Sequence, residues 1–251
     1  MKTSKQLYIT GIIFFLASSA MAQNLVTDRP DQTESSVVVP SGFLQIESGL
    51  LYEISGSEDT RLYTLLYPAT LFRLGISERI ELRMVNQLER IKLSSTFIEN
   101  INQGISDLEV GFKIALAGNS ETRFNAAFLS HLVMPTGTGE ISSDSFQSVN
   151  KLALGLSLTD NISTGLNIGY QFREESKGLL LYSMVAGIRI NDRIGLFTEL
   201  YGSSGGEDGF ILDYNNGFTY LIRDNLQLDL AFGTGLTREM NYAGTGISVL
   251  F

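Results

Sequence analysis

From Phe43 onward, apolar and polar residues alternate with a period of two, in stretches of roughly ten residues separated by turns. In Ile162–Arg173 one face carries Ile162, Thr164, Leu166, Ile168, Tyr170 and Phe172, and the other Ser163, Gly165, Asn167, Gly169, Gln171 and Arg173. Leu226–Gly235 and Asp107–Leu116 read the same way. On a helix these residues would smear around the axis, whereas a strand sorts them onto two faces. The pattern therefore predicts strands at 43–54, 61–76, 80–91, 104–117, 123–134, 149–158, 162–173, 179–190, 194–202, 210–222, 226–237 and 243–251. Connections alternate between short turns such as Ser77-Glu78-Arg79 and Asn191-Asp192-Arg193 and longer ones near 92–103 and 135–148. An even strand count with short-long alternation is the signature of a transmembrane barrel, with tight periplasmic turns and longer outer loops.

A soluble sandwich or barrel would also alternate. Two features favour lipid. Strand-interior Asp, Glu, Lys and Arg fall almost wholly on one face, as expected when a charge at mid-bilayer costs about 2–4 kcal/mol. That polar face also holds many Gly, Ala and Ser, which suits a crowded lumen. One expectation goes unmet: membrane girdles usually contain Trp, and the chain has none, although Tyr and Phe lie near the strand ends.

Residues 1–22 read as a secretory signal: Lys2 and Lys5, an apolar run from Leu7 to Ala17, then Ala20-Met21-Ala22 before Gln23. The run is about half the length a spanning helix needs. The expected organisation is a signal peptide (1–22), an extended segment (23–42) that is either a periplasmic tail or a plug, and an antiparallel barrel of about twelve strands (43–251). The address is the bacterial outer membrane, with its lipid as a partner. Phe251, on the apolar face with Val249 and Ile247, resembles the signal read by barrel-assembly machinery.

Composition narrows function. The chain has no Cys and one His, which excludes disulfide staples, thiolate metal sites and multi-histidine sites. Its net charge of −9 argues against nucleic acid. Ser130 and His131, adjacent on a strand, point to opposite faces and cannot form a nucleophile–base pair. Gly137-Thr138-Gly139 and Gly233-Thr234-Gly235 lack the Lys-Ser/Thr and the helix of a phosphate loop. The long loops are acidic, with Glu58, Asp59, Glu99, Glu140, Asp144, Glu174, Glu175, Glu207, Asp208 and Glu239, but show no calcium-site spacing. No catalytic residue, metal or cofactor is assigned.

The opening Thr27-Asp28-Arg29-Pro30-Asp31-Gln32-Thr33-Glu34-Ser35, with Gly42 and Gln45-Ile46-Glu47-Ser48-Gly49, resembles an outer-membrane transporter family labelled a MetA-pathway of phenol degradation protein. Arg73-Leu74-Gly75, Glu81-Leu82-Arg83, Asp107 with Gly111 and Lys113, Pro135-Thr136-Gly137, Glu199, Gly217 with Tyr220, and Gln227-Leu228-Asp229 agree with it. The resemblance implies an outer-membrane barrel that passes aromatic or hydrophobic compounds.

The inward face is expected to carry Glu47, Glu53, Arg61, Arg73, Glu81, Arg83, Glu89, Asp107, Glu109, Lys113, Lys151, Arg173, Arg189, Glu199, Asp213 and Asp229. These nearly balanced charges read either as a bracing ion-pair network or as a narrow solute path. In the second reading Arg73, Arg83, Arg189 and Glu199 contact the solute, and Tyr63, Tyr67, Phe197 and Tyr201 form an aromatic wall. The Thr27-Asp28-Arg29-Pro30 segment is either a tail or a plug with Arg29 paired to Glu47 or Glu81. The expected function is a passive narrow channel for small solutes. The alternatives are a closed structural or binding barrel and a barrel-borne hydrolase.

Overall fold

The computed structural model describes residues 25–143, 145–174, 177–206 and 209–251. The predicted leader and the loop acids Asp144, Glu175, Glu207 and Asp208 lie outside them. The strands are β1 (Leu44–Gly56), β2 (Thr60–Ser77), β3 (Ile80–Ser95), β4 (Glu99–Ile105), β5 (Leu108–Ala117), β6 (Phe124–Met134), β7 (Gln147–Ser157), β8 (Ile162–Arg173), β9 (Leu179–Arg189), β10 (Ile194–Gly205), β11 (Gly209–Arg223), β12 (Leu226–Gly235) and β13 (Met240–Leu250). All neighbours pair antiparallel, and β1 pairs with β13 from Gln45↔Leu250 to Ser55↔Met240, which closes the ring. β3 pairs with β5 along its first half and with β4 along its second, so β4 and β5 are two lengths of one stave. The result is a closed antiparallel barrel of twelve staves.

Two local features depart from the sequence reading. The connection expected at 92–103 is mostly ladder: β3 runs to Ser95, turns, and returns as β4, with β2 paired along its other edge as far as Thr60↔Ser95, so the three strands extend together as one corner. In β2 the register shifts between Leu66 and Ala69, at Tyr67-Pro68. An inserted residue in a strand reverses the phase of everything beyond it. Arg73 shares a face with Gln45, but past the shift it is Leu66 and Thr64 that share the face of Leu51 and Glu53.

Burial is inverted relative to a water-soluble protein. The largest fully buried side chains include Arg73, Lys113, Gln45, Glu47, Glu81 and Glu199, while Leu82, Ile168, Met184 and Phe232 on the outer face are exposed. Lipid, and not a packed interior, is the phase that takes up the apolar face of such a barrel. The inner apolar cluster is small: Ala231, Met240 and Tyr242, with Leu51, Phe197 and Tyr201 against it.

Candidate functional site

The segment from Leu25 to Phe43 lies inside the ring, held by side chains projecting from staves around it. On one wall the contacts are charged. Arg73 from β2 has five guanidinium N–H groups, and each has an acceptor. Nε and Nη2 donate to Glu81 (3.0 Å each), Nη1 donates to Glu47 (2.9 Å) and Val26 O (3.0 Å), and Nη2 also donates to Val37 O (3.0 Å). Arg83 from β3 donates through Nη1 to Asp28 (2.6 Å) and Glu81 (2.7 Å), and through Nη2 to Glu34 (2.7 Å). Its Nε donates to His131 Nε2 (2.8 Å), which leaves the ring proton on Nδ1, facing Glu109 (3.1 Å). Lys113 from β5 donates to Asp28 at 3.1 and 3.2 Å, and Lys151 from β7 to Glu34 at 2.9 Å.

This wall is electrostatically incomplete without the segment. Its four cations (Arg73, Arg83, Lys113, Lys151) have two wall carboxylates within ion-pair distance, Glu47 and Glu81, with Glu109 facing His131 instead; the segment supplies the other two partners, Asp28 and Glu34. Burial acts to raise the Asp28 carboxyl, but Arg73, Lys113 and Arg83 together outweigh it and hold the group well below the usual carboxylate range. Glu34 is likewise lowered against its burial, by Lys151 and Arg83.

The opposite wall holds the segment mainly through backbone amides. Glu199 from β10 accepts the Gln32 N–H (2.9 and 3.1 Å), the Thr33 hydroxyl (2.5 Å) and Asn215 Nδ2 (3.1 Å). Asn167 from β8 pairs reciprocally with the backbone of Glu34, at 2.8 and 3.0 Å. Asp229 from β12 receives Arg29 Nη2 (3.0 Å) and Nε (3.3 Å). Gly49 and Gly246 leave room for that guanidinium: a Cβ on Gly246 would lie 2.5 Å from Arg29 Nε. Asp31 is raised well above the usual range by burial and by the neighbouring Glu199 charge.

The segment is the shared wall of separate cavities. One, of about 290 Å³, opens at the rim of short turns, lined by Val26, Val37, Pro40, Glu78 and Asn119 among others. Toward the other end lies one of about 370 Å³, bordered by Gln32, Glu53, Glu89, Tyr201 and Arg238. A third, of about 140 Å³, also touches Gln32.

The sequence-predicted residues distribute unevenly over this geometry. Arg73, Arg83 and Glu199 meet the segment, as do Asp28 and Arg29 from its own side. Arg29 pairs with Asp229; Glu47 instead accepts its backbone N–H at 2.9 Å, and Glu81 pairs with Arg73. The Thr27 hydroxyl receives Gln227 Nε2 at 3.0 Å and bonds the Arg29 carbonyl; Pro30 is half-buried beside it. Arg189 is exposed at the end of β9, away from the cluster. Tyr63 does not face the lumen: beyond the β2 register shift it pairs with Ile54 on the outer face, and Arg61 goes with it. Tyr67 lies within the shift itself. Ser130 bonds Asn150 at 2.8 Å, while His131 faces the opposite side. Sequence reasoning missed Asn167, Asn215 and the Arg29 slot at Gly49 and Gly246. The inward phase gave a signal for the two Asn, but nothing local marks the glycines.

The family model described as "Putative MetA-pathway of phenol degradation" matches residues 27–251. The chain belongs to that family. Among the family landmarks quoted above, the charged residues Arg73, Glu81, Arg83, Lys113, Glu199 and Asp229 are buried inward residues of this lumen. No curated protein matches the sequence. Among solved structures, an outer membrane channel from Pseudomonas putida is similar, with a TM-score of 0.75 at 13% identity over 86% of this chain and 98% of that one. The β domain of the Bordetella autotransporter BrkA gives 0.56 at 11% identity, covering 82% and 98%. The KdgM porin, solved with oligogalacturonate, gives 0.55 at 14% identity over 82% and 98%. These likenesses carry the fold, which is that of outer-membrane barrels.

Proposed function

We propose that this barrel is a bacterial outer-membrane channel that rests closed, with the segment from Leu25 to Phe43 as its closure and small solutes as its cargo. The observation that carries the reading is that one extended segment stands between cavities opening toward opposite ends. Displacing the segment would join them and strip Asp28 and Glu34 from the wall cations Arg73, Arg83, Lys113 and Lys151, leaving Glu47 and Glu81 as their ion-pair partners. A solute carboxylate could then take the positions of Asp28 and Glu34, since bidentate guanidinium–carboxylate pairing is the chemistry already built there. Small carboxylate-bearing solutes are the favoured class; the family description adds aromatic compounds.

Single-channel recording in a planar bilayer tests this after folding is checked by heat-modifiable gel migration. The chain from Gln23 onward is expected to be mostly silent, and deletion of residues 23–36 to give discrete current steps with anion preference. A folded deletion variant that stays silent would support a second reading, a closed barrel with a structural or binding role. The full engagement of Arg73 favours that second reading, because a saturated network resists displacement.

A further inference from the structure

The outer face of the barrel is almost free of charge, and its exceptions cluster. Following the register around the ring, the charged residues on the outward phase of the described strands are Arg61, Arg90, Lys92 and Glu99, apart from Arg223 at the end of β11 on the opposite rim. The four sit together on the projecting β2–β3–β4 corner. Tyr63 pairs with Lys92, Leu65 with Arg90, Arg61 with Ser94, and Lys92 with Ile101. Three cations on one patch of an acidic chain need a reason. Lys92 has a partner, Glu99 at 2.7 Å. Arg61 and Arg90 are exposed and have no carboxylate partner among the described residues.

Height along the barrel supplies the reason. On β3 the outward residues are Ile80, Leu82, Met84, Asn86 and Leu88, then Arg90 and Lys92. Ten residues at about 3.4 Å each, tilted about 40°, raise Arg90 about 26 Å above Ile80, against an apolar band about 25 Å tall. The charges therefore begin where hydrocarbon ends. The corner points away from the rim of short turns, which is the periplasmic side of such barrels, so the patch faces the headgroups of the outer leaflet. Leu65 lies beside Arg90, Leu88 and Ile105 continue the apolar surface below it, and at the hairpin tip Phe97 and Ile98 are exposed.

We infer that Arg61, Arg90 and Lys92 form a docking site for a phosphate-bearing lipid of the outer leaflet. The two arginines grip its phosphate oxygens, and its acyl chains lie along Leu65, Leu88 and Ile105. Guanidinium groups suit phosphate through paired N–H donors, and cations at a headgroup boundary are not desolvated by hydrocarbon. The inference rests on the outer-membrane placement of the barrel and is independent of whether it conducts.

The test is retention of bis-phosphorylated lipid A by the folded, detergent-solubilised chain, counted by native mass spectrometry during titration. Arg61→Gln/Arg90→Gln/Lys92→Gln is expected to bind about thirtyfold more weakly, given the per-cation contribution at a lipid surface and the partial neutralisation of Lys92 by Glu99. Arg79→Gln/Arg193→Gln/Arg223→Gln, which removes three exposed cations at the opposite rim, should bind like the parent. Arg90→Gln alone should give an intermediate loss and stands in if the triple variant does not fold. Equal binding by parent and corner variants overturns the inference, as does an equal loss in both triple variants. Displacement of the lipid by millimolar inorganic phosphate would also overturn it, by showing a free-phosphate site. A parent chain that fails to fold in lipid or detergent micelles would instead count against the membrane placement itself.

Discussion

The two walls that grip the Leu25–Phe43 segment do so by different chemistry. The β1–β7 wall uses side-chain charge: four cations share four carboxylates, two of them belonging to the segment. The β8–β12 wall uses neutral amides and carboxylates that cap backbone N–H groups, with one ion pair, Arg29–Asp229. Charge-based grip is all-or-none, because removing one member strands its partners in a buried site. Amide-based grip is graded, because each lost bond is worth about 0.5–1.5 kcal/mol.

That contrast can be broken at Asp28. Asp28→Asn should cost about 3–5 kcal/mol, since it removes the nearest carboxylate of buried Lys113 and one of the three that Arg83 holds, leaving Glu81 as the only one they share. The check is the urea midpoint of the folded barrel in detergent, together with protease access to Arg29. A midpoint within error of the parent would show that Glu81 and Glu34 suffice to hold the two cations. On the other wall, Gly246→Val should expel the Arg29 guanidinium and, with partial exposure of Arg29 softening the loss, cost about 1–2 kcal/mol. Arg29→Gln in the Gly246→Val background should then add little, and full additivity of the two would argue against a shared slot.

Acidity sharpens the comparison because the segment's acids carry opposite signs. Asp28 and Glu34 are lowered, so their stabilisation is complete above the ordinary carboxylate range and is lost as pH falls through their depressed values. Asp31 is raised, so the segment is held more tightly below the ordinary aspartate value and loses that increment as pH rises through the raised one. Protease access to the segment is thus expected to be lowest in mild acid, higher at neutral pH, and highest in strong acid. Asp31→Asn should flatten the mild-acid side alone.

The smallest effect belongs to the outer loop. Asp107, in the break between β4 and β5, accepts Gly137 N and the N–H and hydroxyl of Ser143, along with the Ser142 hydroxyl. Burial opposes these bonds, yet they hold the carboxyl down to about 2. Asp107→Asn should cost about 1 kcal/mol and speed proteolytic nicking between Pro135 and Phe146 without altering grip on the segment.

Much of the fold was legible because a lipid-facing strand announces its phase at every residue. The predicted strand from 162 to 173 coincides with β8, and that from 80 to 91 begins where β3 begins. The network members Arg73, Glu81, Arg83 and Lys113 were legible for the same reason, as polar residues on a consistent inward phase. Tyr63 was misplaced because one register shift at Tyr67-Pro68 inverts the rest of β2, and no composition cue locates such a shift. The partner of Arg29 was beyond reach, since Asp229 stands 200 residues away in sequence and any inward carboxylate would satisfy the same rule.

The seam between β1 and β13 acquires a meaning from the segment. Gln45 bonds Val26 O at 2.9 Å, and Glu47 caps the amides of Asp28 and Arg29. Both residues lie on the strand that joins the ring's first and last staves. A slip of one residue at that joint would turn Glu47 toward lipid and tear it from Arg73. The same few bonds that fill the lumen are thus compatible with one alignment of the two strand edges, so the segment and the closing seam share a single register.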